Sequence, residues 1–258
     1  MNRARTSSDA PQVRILRALQ HVGFRRLYAA TLLSQLGFWV SHMTNQDVAR
    51  ELSGASPEAL GWLFFWMHLP QLALVALTGV AADRWNRRAI LVLGYAVTAA
   101  LIGLLAALVL NDALSLTGLY VIGFGLGLCN AWIGPTNMAA VANAVPARDL
   151  ASAVSLGSLA MNLTRVVGPL VAAAILAVST SGRAYLVVAS ALLLVTFLIS
   201  RVELHPSQRD PEQESLIQRL RTGYAHARER QPALPILHTV GVMSIFGVSH
   251  VVLHPVFA

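Results

Sequence analysis

The sequence has no lysine, one cysteine and few charged residues of either sign. All nineteen basic residues are arginine, which is typical of a GC-rich bacterial genome. Only 12% of the residues are charged, 55% are hydrophobic, and the mean hydropathy is +0.59. This composition excludes a water-soluble domain of this length and indicates a protein that lies in a lipid bilayer. Cys129 stands alone in an apolar stretch, so we expect it to pack between helices and to form no disulfide.

The patterns that carry enzyme chemistry are also missing from the sequence. It has no Ser, His and Asp set, no metal-ligand spacing and no phosphate-binding P-loop. We therefore expect no enzymatic activity, no cofactor and no metal. The net charge of +7 would suit a nucleic-acid partner, but the arginines cluster between apolar stretches. Membrane topology explains that distribution better, and we expect no binding to nucleic acid.

Six apolar stretches are long enough to cross the roughly 30 Å of hydrocarbon in a bilayer. They cover residues 27–49, 60–81, 89–110, 114–139, 150–178 and 184–200. A seventh begins at Ala233 and is still apolar at Ala258. We predict an all-α membrane protein that consists of a six-helix bundle and the start of a seventh transmembrane helix.

The charge pattern divides the chain into four parts and orients it. We predict a cytoplasmic tail at 1–26, the six-helix transmembrane bundle at 27–201, a central cytoplasmic loop at 202–232 and an incomplete helix 7 at 233–258. With the N-terminus in the cytoplasm, sixteen arginines lie inside, against Arg50 and Arg183 outside. In the central loop, apolar residues at helical spacing from Leu216 to Ala227 predict an amphipathic helix on the inner leaflet or, alternatively, a solvated linker helix.

A short charged connection separates the second and third apolar stretches. It contains Gly79, Asp83, Arg84, Arg87 and Arg88. This run resembles the signature loop between helices 2 and 3 of the major facilitator superfamily. The resemblance implies a transporter with twelve helices in two halves, in which the loop closes the cytoplasmic side by placing Asp83 against a helix end of the other half. An ordinary membrane hairpin held inside by its arginines is the alternative.

Further residues resemble one branch of this superfamily, which contains enterobactin exporters and macrolide efflux proteins. They are Phe24 to Leu27, Leu36, Gly37, Trp39, Glu51 to Gly54, Val145, Pro146, Asp149, Leu150, Ala153, Val154, Asn162, Arg165, Gly168, Pro169 and Pro255 to Ala258. Gly168 and Pro169 are also similar to the helix 5 motif of drug and proton antiporters. We interpret this motif as support for export.

The chain departs from the branch pattern at positions that matter for coupling and substrate binding. Phe38 stands where the branch often has an acid, and Thr136 and Asn137 follow Pro135 where it often has Ala and Arg. Proton coupling and substrate contacts therefore do not carry over to these positions. The resemblance also implies a C-terminal half that transport requires. We expect the chain to be a fragment, a truncated gene product or one arm of a larger assembly.

Helix 1 carries the polar residues that we consider first for substrate contact. Seven of them lie within an arc of about 140° at 100° per residue: Thr31, Ser34, Gln35, Ser41, His42, Asn45 and Gln46. So wide an arc must face water, substrate or other helices, because unsatisfied polar groups in hydrocarbon are costly. The resemblance implies that helices 1 and 4 line the central cavity, so our candidates are Gln35, His42 and Gln46. Hydrogen bonding between helices is the alternative.

Helices 4 and 5 supply the remaining candidates for the substrate cavity. Asn130 and Asn137 share one side of helix 4, and Pro135 between them predicts a bend. On helix 5, Asn162 and Arg165 share a polar face with Ser155 and Ser158. Arg165 could bind an anionic substrate group, pair with a carboxylate during proton exchange, or pin helix 5 to its neighbours. His68 on helix 2 could extend the cavity wall or belong to an interfacial aromatic belt.

Taken together, these patterns predict a secondary active transporter in a bacterial cytoplasmic membrane. We expect it to export a small amphipathic molecule, drug-like or siderophore-like, by alternating access coupled to protons. Its expected partners are the lipid bilayer, the small-molecule substrate, protons and the missing C-terminal half. Two alternatives remain: a noncatalytic membrane half-bundle or subunit, and a transporter for proton-coupled uptake of a small solute.

Overall fold

The chain folds into long helices with short connections. A computed structural model describes residues 16–84, 86–202 and 239, with side chains left out at 75–77 and 79–84. In the segment from 16 to 202 the long helices are α1 (Val22–Ser53), α2 (Pro57–Arg84), α3 (Arg87–Leu110), α4 (Leu116–Asn143), α5 (Leu150–Val178) and α6 (Ser181–Ser200). Short 3-10 segments precede α1 at Leu16–Gln20 and α5 at Ala147–Asp149.

The helix boundaries follow from local capping chemistry. Asn86 and Ser115 accept hydrogen bonds through their side chains from the backbone of Ala89 and Gly118, at 3.2 and 3.1 Å, and so cap the starts of α3 and α4. α1 ends at Gly54, which adopts a left-handed φ of 63° and donates its N–H to the carbonyl of Arg50. These caps set the tight turns that fold the chain back on itself.

Five of the helices pack as a ring in the order α1, α6, α3, α4 and α2, and α5 packs on the outside of α1. Within the described part, α3 packs mainly on α6 and α4, α2 on α4, and α1 on α6 and α5. The two ends of the bundle are distinct: α1, α3 and α5 start at the end where α2, α4 and α6 finish, and we call this the basic end. The core is apolar and includes Leu91, Ile102, Leu105, Leu119 and Val195.

Small residues bring pairs of helices to close backbone distance. Gly127 of α4 lies directly against the backbone carbonyl of Met67 in α2, which leaves no room for a side chain. Tyr120 reinforces this pair by donating its hydroxyl to the carbonyl of Ala59 at 3.1 Å. Close approach at glycine is a usual way for membrane helices to associate, because lipid supplies no hydrophobic force between them.

The helical fold agrees with the predicted class. Four helices of the described part are long and apolar enough to cross a membrane: α3, α4, α5 counted with the turn from Ala147, and α6. The prediction of an all-α membrane fold is thus confirmed. Apart from Val202 and Thr239, five predicted features fall outside what the structure describes: the tail before residue 16, the central loop, its amphipathic helix, the seventh helix and the side-chain environment of Gly79, Asp83 and Arg84.

Candidate transport site

The polar arc of α1 makes several of its contacts with the other helices. The hydroxyl of Tyr95 in α3 donates to Ser34 Oγ at 3.2 Å, and the hydroxyl of Tyr185 in α6 donates to Asn45 Oδ1 at 2.6 Å. Ser34 and Asn45 are both buried. For these two residues, the alternative of hydrogen bonding between helices describes the structure.

The seam between α1 and α4 holds a second part of the arc. Asn137 Nδ2 of α4 donates to Thr31 Oγ1 of α1 at 3.3 Å, while Asn137 Oδ1 is buried and has no hydrogen-bond partner in the described part. Gln35, one turn along α1 from Thr31, is half-buried. Asn137 therefore keeps an unused acceptor beside a polar seam, which is costly unless water or a ligand supplies a donor.

His42 lies in an aromatic pocket, in the half of α1 that is farther from the basic end. Its side chain is buried, stacks on Phe38 at a centroid distance of 5.6 Å and meets the ring of Phe64 edge-on at 5.2 Å. Nδ1 of His42 has no hydrogen-bond partner among the described residues. Such a group is uncommon in native structures and points to a bound water, a ligand or a functional role.

A small, partly open cavity adjoins His42. Its volume is about 40 Å³, and the polar part of its wall comes from Ser34, Ser41, His42, Thr98 and Asn130. This is room for a few water molecules at roughly 10–15 Å³ each. The structure thus brings together His42 and Asn130, two of the predicted candidates from different helices. Gln46, one turn further along α1, is buried nearer the end of the bundle opposite the basic end.

An aromatic ladder connects this buried imidazole to the surface. His68 of α2 stacks on Phe64 at 4.9 Å, and Phe64 in turn contacts His42. His68 is exposed, and its Nδ1 lies 2.9 Å from the carbonyl oxygen of Phe64. The sequence signal for the ladder is the pair Phe64 and His68, four residues apart on α2, with Phe38 and His42 at the same spacing on α1.

The predicted polar face of α5 is present and exposed. Ser155, Ser158, Asn162 and Arg165 lie on it. Ser155 and Asn162 bond only to carbonyls of their own helix, at 2.8 Å in both cases. Arg165 has no ion pair or hydrogen bond with any described residue. The structure does not bring Arg165 to the cavity at His42, and the helices described here offer no partner that would pin it.

Gly168, another motif residue on α5, has a packing role. Gly168 lies so close to Trp39 of α1 that an added Cβ would stand 2.5 Å from the Cβ of Trp39. Pro169 follows it inside α5. The glycine lets α5 approach α1, which is the helix that α5 contacts most.

The arginines after the α2–α3 connection tie helix ends together at the basic end. Arg87 Nη1 donates to the carbonyl of Ala139 in α4 at 3.4 Å, and Arg88 Nη2 donates to the carbonyl of Ser200 in α6. Arg88 thereby occupies a place at the negative end of a helix dipole, where cations are favoured.

The buried carboxylate of Asp149 at the basic end contacts three basic side chains, which the sequence did not predict. Asp149 is only 4% exposed, and its Oδ2 lies 2.9 Å from His21 Nε2. Arg17 and Arg148 approach the same carboxylate at 3.8 and 3.7 Å. The bond to His21, helped by both arginines, lowers the pKa of Asp149. The sequence analysis named Asp149 only as part of a motif, since His21 and Arg17 lie far from it along the chain.

At the opposite end, Asp47 is part of a contact between helices. The hydroxyl of Ser181, in the first turn of α6, donates to Asp47 Oδ2 at 3.1 Å. Asp47 is therefore a half-buried acceptor that ties α1 to α6.

Apolar helices of membrane-spanning length, a polar seam between α1 and α4 and a buried imidazole beside a small cavity are features of a multi-pass membrane transporter. The chain matches the MFS_3 family, described as transmembrane secretion effector, over residues 15–258, and it belongs to this family of the major facilitator superfamily. A search of curated proteins finds no match to the chain.

Proposed function

We propose that the chain exports a small amphipathic molecule from the bacterial cytoplasm by proton-coupled alternating access. The observation that carries the proposal is the buried Nδ1 of His42, which has no hydrogen-bond partner in the described part of the chain and lies at the wall of a cavity large enough for water. The description of the family, transmembrane secretion effector, supports outward transport.

His42 suits the role of proton carrier on physical grounds. Histidine is the side chain that exchanges a proton closest to neutral pH, and neutral imidazole has a free acceptor that becomes a donor when it is protonated. A charge on the ring would meet the stacked face of Phe38, at 5.6 Å, which attracts a cation. Proton uptake therefore changes the free ring nitrogen from an acceptor to a donor, so that it requires an acceptor in the cavity instead of a donor.

Arg165 and the aromatic surface of α2 suit an amphipathic substrate. Arg165 projects from the exposed face of α5 without a partner among the described residues, so an anionic group of the substrate would satisfy it. Trp62 and Phe65 of α2 are exposed and form an edge-to-face pair at 5.7 Å. Flat apolar parts of a substrate would find a surface there.

The proposed mechanism assigns the closing of the cytoplasmic side to the α2–α3 connection. In it, Asp83 contacts the start of a helix in the C-terminal half, and proton or substrate binding shifts the balance between inward-open and outward-open states. The tethers from Arg87 and Arg88 to α4 and α6 keep the connection fixed to its own half, as such a gate requires.

Everted membrane vesicles from cells that express the complete coding sequence test the proposal. With an acid-inside pH gradient, wild type should accumulate amphipathic fluorescent probes, and Arg165→Gln and Asp83→Asn should each reduce the rate. Accumulation only with the opposite gradient would support proton-coupled uptake. Probe flux equal to that of empty membranes, from a protein that is inserted and folded, would support the nontransporting half-bundle or subunit.

The proposed orientation has its own test. In a Cys129→Ser background, a cysteine at Asn86 should react with a membrane-impermeant maleimide only after the cytoplasmic side is opened. A cysteine at Asp112, an exposed residue at the other end of α3, should react in intact cells. The reverse pattern would contradict a cytoplasmic N-terminus.

A further inference from the structure

Three arginines from separate parts of the fold meet at the C-terminal end of α6. Arg26 Nη1 of α1 donates to the carbonyl of Arg201 at 2.9 Å, and Arg88 Nη2 of α3 donates to the carbonyl of Ser200. Arg201 itself folds back over Phe197, with its guanidinium carbon 5.2 Å from the ring centroid. We call these three residues the arginine cluster.

Among the described residues, nothing compensates the positive charge of the arginine cluster. All three side chains are exposed, and no carboxylate of the described side chains forms an ion pair with any of them. The nearby Asp149 is engaged by Arg17, His21 and Arg148 instead. Each guanidinium has five N–H donors, so those of Arg26 and Arg88 keep most of them after bonding to α6.

An exposed apolar stripe runs from the arginine cluster along α6. Its residues recur on one helix face: Leu186, Val187, Leu193, Leu194 and Phe197. Leu193 and Phe197 are 59% and 54% exposed. From Leu186 to Phe197 the stripe is about 17 Å long at 1.5 Å per residue, close to the depth of one leaflet of a hydrocarbon core about 30 Å thick, and its Phe197 end lies next to the arginine cluster. Arg201 joins the two by stacking on Phe197.

We infer that the arginine cluster binds the phosphate of an anionic phospholipid whose acyl chains lie along this stripe of α6. Arginine recognises phosphate through paired N–H donors, and each basic residue near an anionic membrane surface contributes about 1 kcal/mol. The bound phosphate links α1, α3 and α6 at the basic end and so stabilises the bundle. This site is independent of the transported molecule.

Thermal unfolding of the purified chain in detergent tests the site, with dioleoylphosphatidylglycerol as the anionic lipid and dioleoylphosphatidylcholine as the neutral one. Wild type should gain thermal stability with the first lipid and little with the second. Titration of Arg26→Gln or Arg88→Gln should show an affinity for phosphatidylglycerol lowered about fivefold, which corresponds to 1 kcal/mol per arginine. Arg183→Gln, which removes an exposed arginine at the other end of α6, should leave it unchanged.

Two further arms separate lipid binding from other roles of the arginine cluster. Glutamine variants also lose a hydrogen bond to α6, so each is compared with its own melting temperature in the absence of lipid. Arg26→Lys should retain most of the lipid response because it keeps the charge. Glycerol phosphate at equal concentration should have little effect. An equal effect would assign the site to a soluble anion, and an undiminished lipid response in the Arg26→Gln/Arg88→Gln double variant would overturn the site.

Discussion

Gly168 of α5 lies against Trp39 of α1 so closely that its missing Cβ is what allows the two helices to touch. An alanine there would place its Cβ 2.5 Å from the Cβ and 2.6 Å from the Cγ of Trp39. Such distances force the helices apart, because the clash is with the fixed base of a large side chain.

We predict that Gly168→Ala lowers the free energy of unfolding by about 1–3 kcal/mol, the usual cost of overpacking a contact. Thermal or denaturant unfolding in detergent measures it. Gly157→Ala is the matched control, since a Cβ at Gly157 of the same helix meets nothing within 4 Å. That variant should be neutral or slightly stabilising, because alanine favours a helix over glycine. Equal behaviour of the two variants would contradict the close packing of α5 on α1.

Removing the hydroxyl of Tyr185 should destabilise the bundle. In Tyr185→Phe, the buried Asn45 Oδ1 loses a donor at 2.6 Å, at a cost of about 1–3 kcal/mol. Tyr28→Phe serves as the control, because the Tyr28 hydroxyl has no hydrogen-bond partner among the described residues. Unfolding of both variants in the same detergent gives the comparison, and a loss of equal size in Tyr28→Phe would argue against the bond.

The two examples show what the sequence alone could and could not predict. Helix positions follow from apolar length and from caps such as Asn86 and Ser115, and both signals are local. The polar arc of α1 was predicted as well, since it follows from spacing on one helix. Its partners were not, because Tyr95 and Tyr185 come to it across 61 and 140 residues of chain. Nothing in a single sequence fixes which face of a distant helix meets α1.

The same limit applies to charged groups. In the sequence Asp149 is simply an acidic residue in a connection between helices, and only the fold shows that His21 and Arg17 contact it. Arg26 and Arg88 read as topology signals, and only the fold shows that they converge on the end of α6. The motif resemblance named Gly168, but its close contact with Trp39 depends on how α5 lies on α1.

The Asp149 carboxylate should make stability depend on pH in the acid range. Because its pKa is lower in the folded chain than the ordinary value of 3.8, its contribution is fully present above that value and is lost as the pH falls through the folded pKa. Wild type should therefore lose stability below about pH 4 more steeply than Asp149→Asn, which lacks the titrating group. Melting temperatures between pH 3 and pH 7 measure this. Asp112→Asn, at an exposed acid of the α3–α4 turn, should keep the wild-type slope, and parallel curves for wild type and Asp149→Asn would contradict the role of Asp149.

Two transport assays on a His42 variant distinguish a role in proton transfer from a merely structural role. His42→Asn keeps a side chain that bonds to water but does not exchange a proton near neutral pH, so it should abolish accumulation driven by a pH gradient. Exchange of labelled for unlabelled substrate across vesicles without a gradient should continue at a rate within a few fold of wild type, because exchange needs no net proton movement.

His68→Asn changes the exposed end of the same aromatic ladder and leaves the cavity wall intact, so it should retain gradient-driven accumulation. If His42→Asn lost exchange and accumulation together while folding normally, the imidazole would be a substrate contact or a packing element. If it kept both, the proton would bind elsewhere.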